Sequence, residues 1–265
     1  MNRVREKLAE LSAKGRKVLI PFLMAGAPSF AYTKGLIPLL EEKGADLIEI
    51  GVPFSDPLAD GPVIQTAAQQ ALEGGFRLAH LFQLVEEVRA GVSVPLVVLI
   101  YYNLLFQYGV ERFISEAAGV GVDGLVIPDL PPEAAGELLG AASAHALAVN
   151  FLIAPTSSSR RIKMIAEHNT GFIYLVSVRG VTGERTAFTS ELPGLIEKVQ
   201  AQVGQPVVVG FGVSGPEQAR EVTKSAAGVI IGSAVVKRIT REPFPVVAAR
   251  VGDFITEVRQ AIDQS

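Results

Sequence analysis

The sequence predicts a closed (β/α)8 barrel, on three observations. Eight short aliphatic and β-branched runs recur along the 265 residues, separated by segments with helical periodicity. The runs are apolar almost without alternation, as parallel strands covered by helices must be. No linker-like or low-complexity stretch interrupts the pattern, so residues 1–265 are expected to form a single α/β domain, a TIM barrel with an extra N-terminal helix. An open doubly wound sheet would more usually carry a glycine-rich fingerprint after its first strand, and PFLMAGAP is not one.

The elements follow in order. MNRVREKLAELSAKGRK is charged throughout and has no apolar core of the kind a secretory signal needs; it reads as an amphipathic helix with Val4, Leu8 and Leu11 on one face. VLIPFLM (18–24) is the first strand, TKGLIPLLEEKG (33–44) the helix after it, and LIEIGV (47–52) the second strand. The loop PFSDPLADGP (53–62) is rich in turn formers, and LAHLFQLVEEVRAG (78–91) returns the chain as a helix. VPLVVLIYY (94–102) and GLVIPD (124–129) are the third and fourth strands. The second half supplies AVNFLIA (148–154), FIYLVSV (172–178), PVVVGFG (206–212) and GVIIGS (228–233), with PEQAREVTKSA (216–226) a helix between the last two.

Composition narrows the function. Net charge is −3 and no basic block occurs, which argues against nucleic acid, since neutralising phosphates takes clustered Lys and Arg. There are no cysteines, hence no disulfides and no thiolate chemistry. His80, His145 and His168 are the only histidines and none pairs at metal-ligand spacing, so no metal site is expected. The longest apolar run, 94–106, is too short to span a bilayer and contains Asn103; a soluble, cytoplasmic protein is expected.

In such barrels the chemistry sits at the C-terminal ends of the strands and in the loops that follow. The unusual residues fall there: Glu49 and its loop after strand two, Tyr101 and Asn103 after strand three, Pro128 and Asp129 after strand four, Tyr174 and SVRGVTGERT with strand six. GFGVSGPEQ (210–218) and IGSAVV (231–236) place glycine where strands seven and eight turn into helices. Glycine permits close backbone approach and helix N-termini present free amides, so two such turns on adjacent strands point to a phosphorylated small-molecule substrate. Ser214 and Ser233 could donate hydroxyls there or merely cap helices.

Glu49 is the sharpest signal. Leu47, Glu49 and Gly51 share one face of their strand; with Ile48 and Ile50 under the helices, Glu49 points into the barrel top and Gly51 leaves room for a ligand. A buried carboxylate is costly unless paired or protonated, and strands one, three and four hold no Lys or Arg to pair with it. Such a group has its pKa raised and can deliver and recover a proton near neutrality. Asp56, inside SDP, reads as a turn former; Asp60 and Tyr174 could be structural or functional.

IEIGVPFSDPLADGP (48–62), GVDGLVIPDLPPE (121–133), APTS (154–157), YLVSVRGVTG (174–183) and VGFGVS (209–214) occur in the order expected of one family, which the whole chain resembles: the tryptophan synthase alpha chain. The resemblance implies retro-aldol cleavage of indole-3-glycerol phosphate to indole and glyceraldehyde 3-phosphate, with no cofactor in this chain. It assigns Glu49 as general acid/base, Asp60 as the partner of the indole N–H, and Tyr174 to the reacting centre. Phe22, Ile100, Tyr101, Ile127 and Ile153 would wall the indole pocket, Gly183, Gly212, Gly232 and Ser233 would cradle phosphate, and Thr182 would close over Asp60. It also implies a pyridoxal-phosphate-dependent beta chain as partner in an alpha2-beta2 heterotetramer. The sequence departs from the family pattern at Ala27, Arg179 and Ala227, none of them a catalytic or phosphate group. A self-sufficient indole-releasing lyase, or a catalytically weak subunit that activates the beta chain, would share these motifs; retention of Glu49 and Asp60 argues against the second.

Overall fold

The computed structural model describes residues 2–176, 185–210 and 212–265. Its strands are β1 (Val18–Met24), β2 (Ile48–Gly51), β3 (Leu96–Leu99), β4 (Gly124–Val126), β5 (Ala148–Asn150), β6 (Leu152–Ile153), β7 (Ile173–Val176), β8 (Val207–Gly210) and β9 (Gly228–Ile231). All pairings are parallel, in the order β5-β4-β3-β2-β1-β9-β8-β7-β6. The two ends of this sheet, β5 and β6, are separated along the chain only by Phe151, so the sheet closes on itself and helices cover its outside.

The fifth predicted strand is thus split, and the reason is local. At the seam the ladder is carried by side-chain amides: Asn150 donates from Nδ2 to the Leu125 carbonyl (3.0 Å) and accepts the Phe172 amide at Oδ1 (2.8 Å). The Phe151 amide goes to Asn169 Oδ1 at 2.7 Å instead of to a neighbouring strand. Asn150 is wholly buried, so leaving any of these groups unpaired would cost about 1–3 kcal/mol. The third strand is shorter than its apolar run, because Tyr101 caps the helix Tyr102–Tyr108.

The N-terminal helix, Arg3–Ala13, buries Val4, Leu8 and Leu11 as its periodicity demands. Asn2 caps it by accepting the Arg5 amide, while its Nδ2 donates to the carbonyls of Asp123 and Ala146. Both carbonyls lie just ahead of strands, so the helix lies against the end of the barrel opposite the predicted chemistry. At that same end, Asp46 is met by Arg259 (2.9 Å) and the Leu19 amide, and Asp123 by Arg89 (2.7 Å) and the Leu96 amide. These buried carboxylates are compensated as buried charges must be. Among the described residues no helix is long and apolar enough to cross a membrane.

Candidate active site

At the other end of the barrel stands a carboxylate treated differently. β1 and β2 pair Phe22 with Glu49 and Met24 with Gly51, which puts Glu49 on the same face as Phe22 and Met24. Glu49 is 1% exposed, and neither carboxylate oxygen has a hydrogen-bond partner among the described residues. Burial, and after it the nearby charge of Asp60, push its pKa from 4.5 up to about 8. The side chain is therefore mostly protonated at neutral pH, and one proton is available at the barrel mouth.

Asp60 reaches this region from the loop after β2. Burial raises its pKa, while a hydrogen bond from the Tyr101 hydroxyl opposes the rise and favours the ionised form. Tyr101 also accepts the Ala59 amide at 3.1 Å and stacks on Phe54 with ring centroids 5.1 Å apart, so it ties the loop to the strand-three side of the mouth. Burial and the Asp60 charge push the Tyr101 phenol up. Tyr174, buried in β7, is pushed well above its ordinary value by burial first and then by the charges of Glu49 and Asp60. Glu49 and Asp60 come from one stretch of the sequence and Tyr101 and Tyr174 from two others, yet all four share one electrostatic neighbourhood.

The remaining expected residues divide into those described and those outside. Ile100, Ile127 and Ile153 are fully buried at the C-terminal ends of β3, β4 and β6. Gly212 has φ +84°, a left-handed conformation that favours glycine. Gly232 caps the short helix Ser233–Val236, whose first residue, Ser233, is exposed. Since β8 and β9 are hydrogen-bonded neighbours, the two glycine turns lie side by side. Ser214 is engaged within its own loop: its amide and its hydroxyl both donate to Gln218 Oε1 at 2.8 Å, and the helix cap there is Gly215. Thr182, Gly183 and Arg179 lie outside the described residues. Among the described residues no three His, Asp or Glu side chains cluster as a metal ion would need.

One expectation is corrected. The space beside Gly51 does not wait for a ligand; the Phe22 ring fills it, and a Cβ at Gly51 would come within 2.4 Å of Phe22 Cζ. Sequence alternation shows which face Gly51 presents, but only the β1–β2 register shows what covers it. Two further features are absent from the sequence-based expectations. Phe54 and Tyr101 meet across 47 residues of chain, and no local pattern announces that. Gly210 does carry a signal, a glycine inside an apolar strand. A Cβ there would lie 2.3 Å from Tyr174 Cε1 and 2.6 Å from its hydroxyl. Gly210→Ala is therefore expected to displace the Tyr174 ring, lowering stability by about 1–3 kcal/mol and turnover at least about tenfold, as overpacking in a dense core does. Urea melts and steady-state rates on the purified variant check both; unchanged values would mean that the ring moves aside freely.

Fold and site together define a (β/α)8-barrel enzyme whose mouth holds a proton on a buried glutamate beside a second carboxylate. The comparisons with known proteins agree. A family profile described as tryptophan synthase alpha chain matches residues 8–261. The tryptophan synthase alpha chain of Geobacter sulfurreducens is 44% identical over 262 residues, covering 99% of both chains. That of Roseiflexus sp. is 46% identical over 260 residues, covering 98% of this chain and 100% of the relative. The crystal structure of tryptophan synthase subunit alpha from Legionella pneumophila superposes with a TM-score of 0.92 at 34% identity over the whole of both chains. A chain of tryptophan synthase from M. tuberculosis, solved in an aminoacrylate-bound form, gives 0.88 at 34% identity, covering 99% of this chain and 100% of that one. This chain belongs to the tryptophan synthase alpha chain family.

Proposed function

We propose that the chain cleaves indole-3-glycerol phosphate into indole and glyceraldehyde 3-phosphate, as the alpha subunit of a tryptophan synthase. The observation that carries this reading is Glu49: buried, unpaired among the described residues, with its pKa pushed up to about 8 and a second carboxylate close by. Carbon–carbon cleavage that releases an aromatic carbon requires the developing negative charge to be removed. Glu49 delivers its proton to the ring carbon bearing the side chain, which places positive charge at the ring nitrogen. Ionised Asp60 accepts the N–H and stabilises that cation, an electrostatic role worth most in a dry site. The pair of electrons from the breaking bond returns to the ring, the adjacent side-chain hydroxyl passes its proton back to Glu49, and the aldehyde and neutral indole separate.

The other residues fit around this chemistry. Tyr174 lines the reacting centre, and Phe22, Ile100, Tyr101, Ile127 and Ile153 wall the indole ring. Gly183, Gly212, Gly232 and Ser233 hold the phosphate, and Thr182 closes over Asp60. Proton transfer and charge stabilisation suffice for the reaction, so the chain needs no cofactor of its own. Free indole is apolar and would leak through membranes, which favours passing it directly to a pyridoxal-phosphate-dependent beta chain in an alpha2-beta2 assembly. A cytoplasmic location belongs to the same reading.

The test is indole release from indole-3-glycerol phosphate, with and without a cognate beta chain. If the beta chain binds the form in which the loops carrying Asp60 and Thr182 are closed, linkage requires it to raise that population and the rate. Acceleration of at least about tenfold, equivalent to about 1.4 kcal/mol of coupling, is expected, and Thr182→Val should lose most of it. Equal rates with and without partner would favour a self-sufficient lyase; no release in either case would overturn the reading.

A further inference from the structure

Glu49 stands on a strand, but Asp60 sits on the loop after β2, and a loop holds a side chain less firmly than a strand does. A misplacement of about 1 Å at a reacting centre can cost about a hundredfold in rate, so a loop carboxylate needs support from elsewhere. Two side-chain hydrogen bonds supply it. The Tyr101 hydroxyl accepts the Ala59 amide at 3.1 Å, and Gln65 Nε2 donates to the Asp60 carbonyl at 2.8 Å.

Gln65 lies near the start of the helix Pro62–Glu73. Its own amide donates to the Gly61 carbonyl at 3.0 Å, as helix geometry requires, while its side chain turns back to the residue before that glycine. Gly61 is the N-cap and has no side chain with which to fix the entering chain, so Gln65 takes that part. The two bonds thus grip consecutive residues from two separate elements, the end of the third strand and the helix that follows the loop. Just ahead of them the loop is open to solvent, with Leu58 92% exposed.

We propose that Gln65 is a positioning residue for the reaction: with Tyr101 it clips the Ala59–Asp60 segment, so that the Asp60 carboxylate stands at the mouth before substrate arrives. The inference rests on the functional reading above and adds to it the residue that holds Asp60 in place. Gln65 touches no reacting atom; it acts through Asp60. The titratable groups that share the field of Asp60 are Glu49, Tyr101 and Tyr174. Of these, the Tyr101 hydroxyl favours the ionised carboxylate by donating to it, and the clip keeps the two within reach. Loss of the clip therefore lets the Asp60 pKa rise, and the acid limb of kcat/KM moves to higher pH.

The experiment measures indole release and glycerol 3-phosphate binding on Gln65→Met, which matches glutamine in length but has no donor. Its kcat should fall about fivefold or more, its affinity for glycerol 3-phosphate should stay within about twofold of wild type, and its acid limb should move up. Tyr101→Phe keeps the ring, loses the hydroxyl and should act in the same direction. The double variant should lose less than the product of the two single losses, because both residues hold one segment. Gln65→Glu puts an acceptor where the donor was; it should lose at least as much as Gln65→Met and guards against a fault peculiar to the methionine variant. The proposal is overturned if Gln65→Met keeps the wild-type kcat, or if rate and glycerol 3-phosphate affinity fall together while the acid limb stays in place. Failure of the wild type to release indole would instead overturn the functional reading on which it rests.

Discussion

Glu49→Gln is expected to abolish indole release while leaving the fold and substrate binding largely intact. The amide keeps the shape of the side chain but has no acidic proton to transfer, and general acid/base catalysis typically supplies about 10²–10⁴-fold. A variant retaining more than about a tenth of wild-type turnover would make the acid role untenable. Wild-type kcat/KM should fall as pH rises through about 8, where the folded-state carboxyl loses its proton.

The same substitution has a stability signature of opposite sense. The Glu49 carboxyl titrates from an ordinary value of 4.5 up to about 8 in the fold. Below pH 4.5 folded and unfolded chains both hold the proton, and the group's contribution is fully present. Between 4.5 and 8 the unfolded chain releases the proton and the folded one keeps it, so stability falls as pH rises. Above that range the loss is complete, with an upper bound of about 5 kcal/mol at roughly 1.4 kcal/mol for each pH unit. Glutamine cannot ionise, so the variant should match the wild type near about pH 4 and exceed it by a few kcal/mol near about pH 9. Denaturant melts across that range read the difference directly. A wild type that is the more stable protein at alkaline pH would show that Glu49 is held ionised.

Ser233→Asp should sharply weaken binding of the substrate and of glycerol phosphate. Ser233 opens the helix after β9 beside the turn that carries Gly212, and under the proposed function an aspartate there would face the phosphate. Two like charges about 4 Å apart repel by about 4 kcal/mol at an effective dielectric of about 20, and solvent screening of an exposed site reduces this. A loss of about a hundredfold or more in affinity is expected. The substitution is a cleaner probe than Gly212→Asp, because an acid in the first turn of a helix suits its dipole, whereas Gly212 needs φ +84° and any side chain there is strained. Calorimetric titration with glycerol 3-phosphate checks it, and an unchanged affinity would place the phosphate elsewhere.

Much of this is legible along the chain itself. Apolar runs of strand length separated by helical periods predict a parallel barrel, because burial on both faces leaves little freedom for another pattern. Glu49 stands out as a charge in such a run, with no basic residue on the neighbouring strands to neutralise it. The glycine turns at 210–218 and 231–236 are visible as turns, and their adjacency follows from the barrel's strand order. The closing pair of strands is not legible: AVNFLIA reads as one strand, and nothing in it says that Asn150 and Asn169 will carry the bonds at the seam.

The sequence by itself determined the barrel, its orientation and the carboxylate at its mouth, since periodicity and local chemistry are properties of neighbours along the chain. The tertiary structure decided how the site is furnished. It put the Phe22 ring over Gly51, tied Asp60 and Ala59 to Tyr101, set Tyr174 against Gly210, and left Glu49 without a partner among the described residues while Asp46 and Asp123 were paired. Each of these depends on the register between strands and on contacts between residues far apart in sequence. A pKa raised by burial is a property of everything packed around the group, so its magnitude exists only once the chain has closed around Glu49.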